Sequence, residues 1–74
     1  MNKDNIANIA CGIDSRYQSE DRYSDISYIQ KLYSMCKEDF LGQYTDKNIF
    51  NYINYLHMNN YITNKEYDDL MANC

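Results

Sequence analysis

His57 is the single imidazole in a chain with three cysteines, eleven carboxylates and seven bases. Acid–base or nucleophilic catalysis needs such groups within hydrogen-bond reach of one another, and a metal needs several at ligand spacing. Around His57 neither arrangement is present. No Cys or carboxylate shares its helical face at ligand spacing, and no motif sets a Ser or Cys nucleophile beside it. The imidazole falls at the edge of an apolar face, where a packed or half-exposed histidine is the ordinary reading. Cys11, Cys36 and Cys74 are widely spread and contain no CxxC pair. They form neither a disulfide framework nor a zinc ligand set. Cys11 and Cys36 read as small buried hydrophobes, Cys74 as exposed. No cofactor, metal or enzymatic activity is expected.

Seventy-four residues make one small domain. Hydrophobic residues are 45% and charged residues 24%, a globular composition. A net charge of −4 and a pI near 4.6 lack the basic footprint that phosphate contacts require, which argues against direct nucleic-acid binding. No apolar run approaches the ~18 residues of a membrane span. The start, Met1-Asn2-Lys3-Asp4-Asn5, lacks a signal-peptide layout. The expectation is a cytoplasmic protein that touches no membrane.

The elements that must position any site read as helices. Pro is absent, Gly occurs twice, and the apolar spacing is helical nearly throughout. A first helix is predicted over Lys3 to Cys11, with Gly12 as its left-handed stop and Asp14 to Arg22 as a loop. A second starts at Ser24 and Asp25 and ends by Gly42. One of its stripes holds Ile26, Ile29, Tyr33, Cys36 and Phe40, and another holds Tyr28, Leu32 and Met35. So wide an apolar arc suits a helix at the bundle centre or at an interface, and Tyr28, Leu32 and Met35 are the candidates for self-association into a homodimer. A third helix opens at Thr45, faces inward with Ile49, Phe50, Ile53, Leu56 and His57, and stops at Asn59-Asn60. Thr63 and Glu66 form a capping box for a fourth, whose apolar face is Tyr67, Leu70, Met71 and Cys74. The expected fold is all-α: a compact bundle of three or four short helices.

The third and fourth helices could suggest a helix-turn-helix, but a recognition helix must approach phosphates. Here the fourth holds Glu66, Asp68 and Asp69 against Lys65, so an ordinary helical hairpin is expected. The acids themselves cluster: Glu20 and Asp21 on the loop, Glu38 and Asp39 late in the second helix, Asp68 and Asp69 in the fourth. The helix dipole favours acids at N-termini and disfavours Glu38 and Asp39. These six are the candidate partner-binding acids, facing a basic surface. The nine tyrosines offer large contact area at low entropy cost, which suits interfaces as well as a small core. Net −4 falls far short of the ~17 charges that duplex DNA carries over ~30 Å. A DNA mimic of this size would have to work through local acid clusters.

In length, acidity and Tyr/Asn-rich character, from Met1 to Cys74, the chain resembles small early bacteriophage proteins of staphylococci that inhibit the host DNA sliding clamp. The resemblance implies a helical inhibitor of host DNA replication that occupies the clamp's basic channel in the host cytoplasm. Partners of the clamp ordinarily use a Gln-containing peptide. The nearest stretch here, Gln30-Lys31-Leu32-Tyr33, lacks its spacing and lies in a predicted helix, which points to the channel instead. The competing expectation is a small acidic adaptor that binds a protein with no link to DNA sites.

Overall fold

A computed structural model describes residues 1–18, 23–38 and 41–74, the side chains of residues 23–25 apart. It contains helices α1 (Lys3–Gln18), α2 (Tyr23–Lys37), α3 (Asp46–Met58) and α4 (Asn64–Met71), with no strand among the described residues. This is the all-α bundle the apolar spacing calls for. The second helix begins at Tyr23, so Ser24 lies inside it and not at its N-cap; the side chains of Ser24 and Asp25, and Phe40, lie outside the description.

The α1 boundary differs from expectation. The helix runs through Gly12 and takes in much of the supposed loop. Ile6, Ala10, Ile13 and Tyr17 continue one face, and all are buried. Gly12 points outward, where an added Cβ would meet nothing within 4 Å. Glycine costs a helix ~1 kcal/mol relative to Ala, whereas burying an Ile side chain returns ~1.5–3 kcal/mol. Packing beyond Gly12 therefore outweighs the local stop signal. Tyr17, expected in a loop, is 1% exposed and belongs to the core.

Antiparallel neighbours build the bundle. Asp4 at the start of α1 meets Lys37 at the end of α2, with Nζ 2.9 Å from Oδ1. Tyr28 and Tyr52 pair α2 with α3, the Tyr52 hydroxyl donating to the Tyr28 carbonyl at 3.0 Å. Tyr67 on α4 donates to Asn54 Oδ1 of α3 at 2.8 Å. The chain ends meet where Asn2 N–H donates to the Asn73 carbonyl at 2.8 Å. Ile29, Leu32, Met35, Ile49, Ile53, Leu56, Ile62 and Leu70 join the α1 face in one core. The particle measures 33 × 22 × 19 Å with a radius of gyration of 11.3 Å.

The caps of α3 and α4 follow local sequence. Thr45 Oγ1 accepts from Asn48 N–H at 3.2 Å, and Asn48 Oδ1 accepts from Thr45 N–H at 2.9 Å. Asn48 thus closes a capping box that the usual Glu/Gln pattern does not flag. Asn60 takes φ 60°. Its N–H donates to the His57 carbonyl at 3.1 Å, and Tyr61 N–H to Leu56 at 2.9 Å. These bonds form a Schellman stop with Asn in the left-handed position. Gly42, at φ 65°, turns the chain between α2 and α3.

Leu32 and Met35 were expected to cover a second copy. They are instead 0% and 4% exposed within this chain's own core. The reason is that α2 packs on both α1 and α3, so its core line takes Ile29 from one stripe and Leu32 and Met35 from the other. Leu32→Ala should then cost ~2–5 kcal/mol, read as a lower urea midpoint. Gly12→Ala tests the α1 boundary. On a continuous helix it should stabilise by ~0.5–1 kcal/mol, whereas at a left-handed stop the same change would destabilise.

Candidate interaction surfaces

The orientation of α4 is set by a residue that counts as an ordinary first-turn acid in the sequence. Glu66 is 4% exposed. Its Oε1 accepts from Thr63 N–H at 2.7 Å, while Glu66 N–H donates to Thr63 Oγ1 at 3.2 Å. Across the bundle the Tyr17 hydroxyl lies 3.0 Å from the same Oε1 and 2.8 Å from the Tyr61 carbonyl, sharing its hydrogen between them. Arg16 pairs with Oε2. With Leu70 buried on the same side, Asp68 and Asp69 are exposed. Asp69 borders a cleft of about 320 Å³ between α1 and α4, which Arg16 and Lys65 also line.

Glu38 is exposed just beyond α2 and accepts from Ser34 Oγ at 3.3 Å. No contact among the described residues joins it to Asp68 and Asp69. Glu20, Asp21 and Asp39 lie outside the described residues. Of the six candidate acids, the structure therefore places only the sequence neighbours Asp68 and Asp69 side by side.

The tyrosines assemble to a greater degree than their spacing suggested. Tyr28 and Tyr61 stack with centroids 4.2 Å apart at 11°, and Tyr52 and Tyr55 with centroids 5.7 Å apart at 19°. Tyr55 also tilts against Tyr28 and Tyr61 at 6.3 and 6.1 Å, within the range where aromatic pairs gain beyond area burial. Two adjoining hollows of about 420 and 300 Å³ run between α2 and α3, sharing Lys31, Tyr52 and Tyr55. Lys31 Nζ stands 5.3 Å from the Tyr52 ring centroid. The local signal for this surface is Tyr52 and Tyr55 at i, i+3; the register that brings Tyr28 and Lys31 beside them is tertiary.

His57 is half-buried, stacks on Tyr67 at 4.1 Å and lies 2.7 Å from Asn64 Oδ1 through Nε2. That is packing geometry, with no nucleophile or carboxylate in the contact. Cys11 is exposed, not buried as expected, because α1 turns it away from the Ile6–Ala10–Ile13 face. Cys36 is half-buried, and burial pushes its thiol up to about 11. Cys74 is exposed, and all three thiols are free. Among the described residues no cluster of His, Cys, Asp and Glu could hold a metal, and no helix is long and apolar enough to cross a membrane. No protein-family model, curated protein or solved structure matches the chain.

Two hydroxyls of the tyrosine cluster resist ionisation. Burial, with Tyr55 next, raises Tyr52 from 10 to about 12. Hydrogen bonding to Tyr28, followed by desolvation, raises Tyr61 to about 12. Between pH 10 and 12 the unfolded chain has lost these protons while the folded chain retains them. Their contribution to stability is therefore complete below pH 10 and is lost as the pH rises through 12. Tyrosinate absorbance should include late-titrating contributions from Tyr52 and Tyr61 in the wild type. Tyr28→Phe should return Tyr61 toward 10 and leave Tyr52 late; a titration unchanged by that substitution would break the assignment.

Proposed function

We propose that the chain is a non-enzymatic inhibitor that binds the bacterial DNA polymerase sliding clamp, occupies its basic DNA channel and blocks DNA loading. The observation that carries this reading is the exposed Asp68–Asp69 pair on a helix whose orientation is locked by buried Glu66 and Leu70. Rigid carboxylates meet lysines and arginines without the ordering cost of a loop. The resemblance to clamp-inhibiting phage proteins supplies the target. A cross-section of 22 × 19 Å gives a body comparable in width to a duplex. Over its 33 Å length a duplex would carry ~19 charges against the net −4 here. Inhibition on this reading comes from bulk placed by a few acids, not from a phosphate-like lattice.

A specific observation favours a second reading, an adaptor acting by protein–protein contact with no link to DNA sites. The tyrosine cluster presents aromatic area on α2, α3 and the turn after α3, through residues other than the α4 acids.

Surface plasmon resonance on immobilised clamp at two salt concentrations tests the first reading. The wild type should bind more weakly at high salt, because the Debye length shortens to ~8 Å at physiological strength. Asp68→Lys with Asp69→Lys should keep the fold, since exposed changes usually stay within ~0.5 kcal/mol. It should slow association by roughly tenfold at low salt. Binding indifferent to salt, with an unchanged on-rate in the double variant, would remove the acids from the mechanism. Absence of clamp binding would leave the adaptor reading.

A further inference from the structure

The described cations divide into two sets. Lys3 pairs with Asp46 at 3.7 Å, Lys37 with Asp4 at 2.9 Å, and Arg16 with Glu66. Lys31, Lys47 and Lys65 have no such carboxylate among the described residues. Lys65 shares its cleft with Glu66 and Asp69. Lys31 has a different setting, since the described residues lining its α2–α3 hollows are tyrosines, amides and Met35, with no acid among them. Lys47 stands one helical turn before Asn51, which lines the same groove. In a chain with eleven acids and seven bases, the one charged group among the described lining residues of this groove is therefore a cation, Lys31.

The groove is also shaped for contact. Tyr52 and Tyr55 stack as a broad wall, and Tyr55 remains 42% exposed. The Asn51 amide offers a donor and an acceptor to a passing backbone. Tyrosine and asparagine around a shallow hollow form a composition used by antibody paratopes, where rigid rings supply area and amides adapt. Hollows of about 420 and 300 Å³ have room for side chains of a peptide. Lys31 lies over the Tyr52 ring, beside the place an apolar side chain would take.

We propose that the groove between α2 and α3 docks an acidic segment of a partner protein, with an aromatic or aliphatic side chain against Tyr52 and Tyr55 and a neighbouring carboxylate on Lys31. Charge complementarity selects this occupant. A basic segment would meet Lys31 with no carboxylate among the described lining residues to answer it, whereas an acidic one supplies that partner. This surface is separate from Asp68 and Asp69, so it stands or falls independently of clamp binding.

The test is fluorescence anisotropy with two labelled peptides of the same Tyr/Leu pattern, one carrying Glu and the other Lys at the charged positions. The wild type should prefer the Glu peptide. Lys31→Glu should weaken that binding roughly three- to tenfold and improve binding of the Lys peptide. Tyr55→Ala should weaken the Glu peptide without reversing the preference. Circular dichroism checks that both variants remain helical. Equal binding of the two peptides, or none, overturns the proposal. So does sedimentation showing a wild-type dimer that Lys31→Glu dissociates, because the occupant would then be a second copy.

Discussion

A single buried carboxylate organises this bundle. Removing an ion from water costs several kcal/mol, recovered only where its lone pairs and charge are answered. Glu66 is answered three times: by the Thr63 amide, the Tyr17 hydroxyl and Arg16. The first contact caps α4, and the other two fasten α4 to the end of α1. An eight-residue helix has no independent stability in water, so α4 depends on this fastening and on Leu70 for its existence as well as its direction. The acids it displays inherit their placement from Glu66.

The same fastening reaches the tyrosine cluster through one residue. The Schellman stop at Asn60 delivers Tyr61 to a position where its carbonyl accepts from Tyr17 and its ring stacks on Tyr28. Tyr61 therefore connects α1 through its backbone and α2 through its side chain, immediately before Thr63 and Glu66 begin α4. The turn between α3 and α4 is where the core, the buried ion and the aromatic surface are joined. A looser turn would disturb all of them together, which accounts for the use of an asparagine that accepts φ 60°.

What the sequence makes legible is what lies within a turn of helix. Thr45, the Asn59-Asn60 stop and the Thr63–Glu66 box are short-range signals with a local mechanism, and the structure contains each of them. Gly12 is also a local signal, and it misleads because Ile13 and Tyr17 have core partners that a local reading cannot count. Glu66 shows the limit within one residue. Its bond to Thr63 spans three positions and is readable, whereas its bond to Tyr17 spans 49 and is not. The α2 stripes were readable as unusually wide, yet deciding between interface and bundle centre required knowing that α1 and α3 flank the same helix. The exposure of Asp68 and Asp69 followed from the apolar face opposite them, while the tyrosine groove needed the α2–α3 register.

Net charge alone would describe this protein as an acidic particle, and that description holds only at long range. Among the described residues α2 and α4 make no contact, and neighbouring helix axes already stand ~8–10 Å apart. At physiological ionic strength exposed charges separated by more than ~8 Å are largely screened from each other. A group arriving at the α2–α3 groove therefore responds to Lys31, which has no acid beside it among the described lining residues, more than to Asp68 and Asp69. Ion pairing sharpens the contrast, because Lys3, Arg16 and Lys37 are spent on Asp46, Glu66 and Asp4. Those pairs tie α1 to α2, α3 and α4, and among the described charges outside them Asp68 and Asp69 stand on α4 while Lys31 stands in the aromatic groove. A chain this small can thus carry an exposed acid pair on one helix and a lysine over an aromatic wall on others, each read locally by what approaches it.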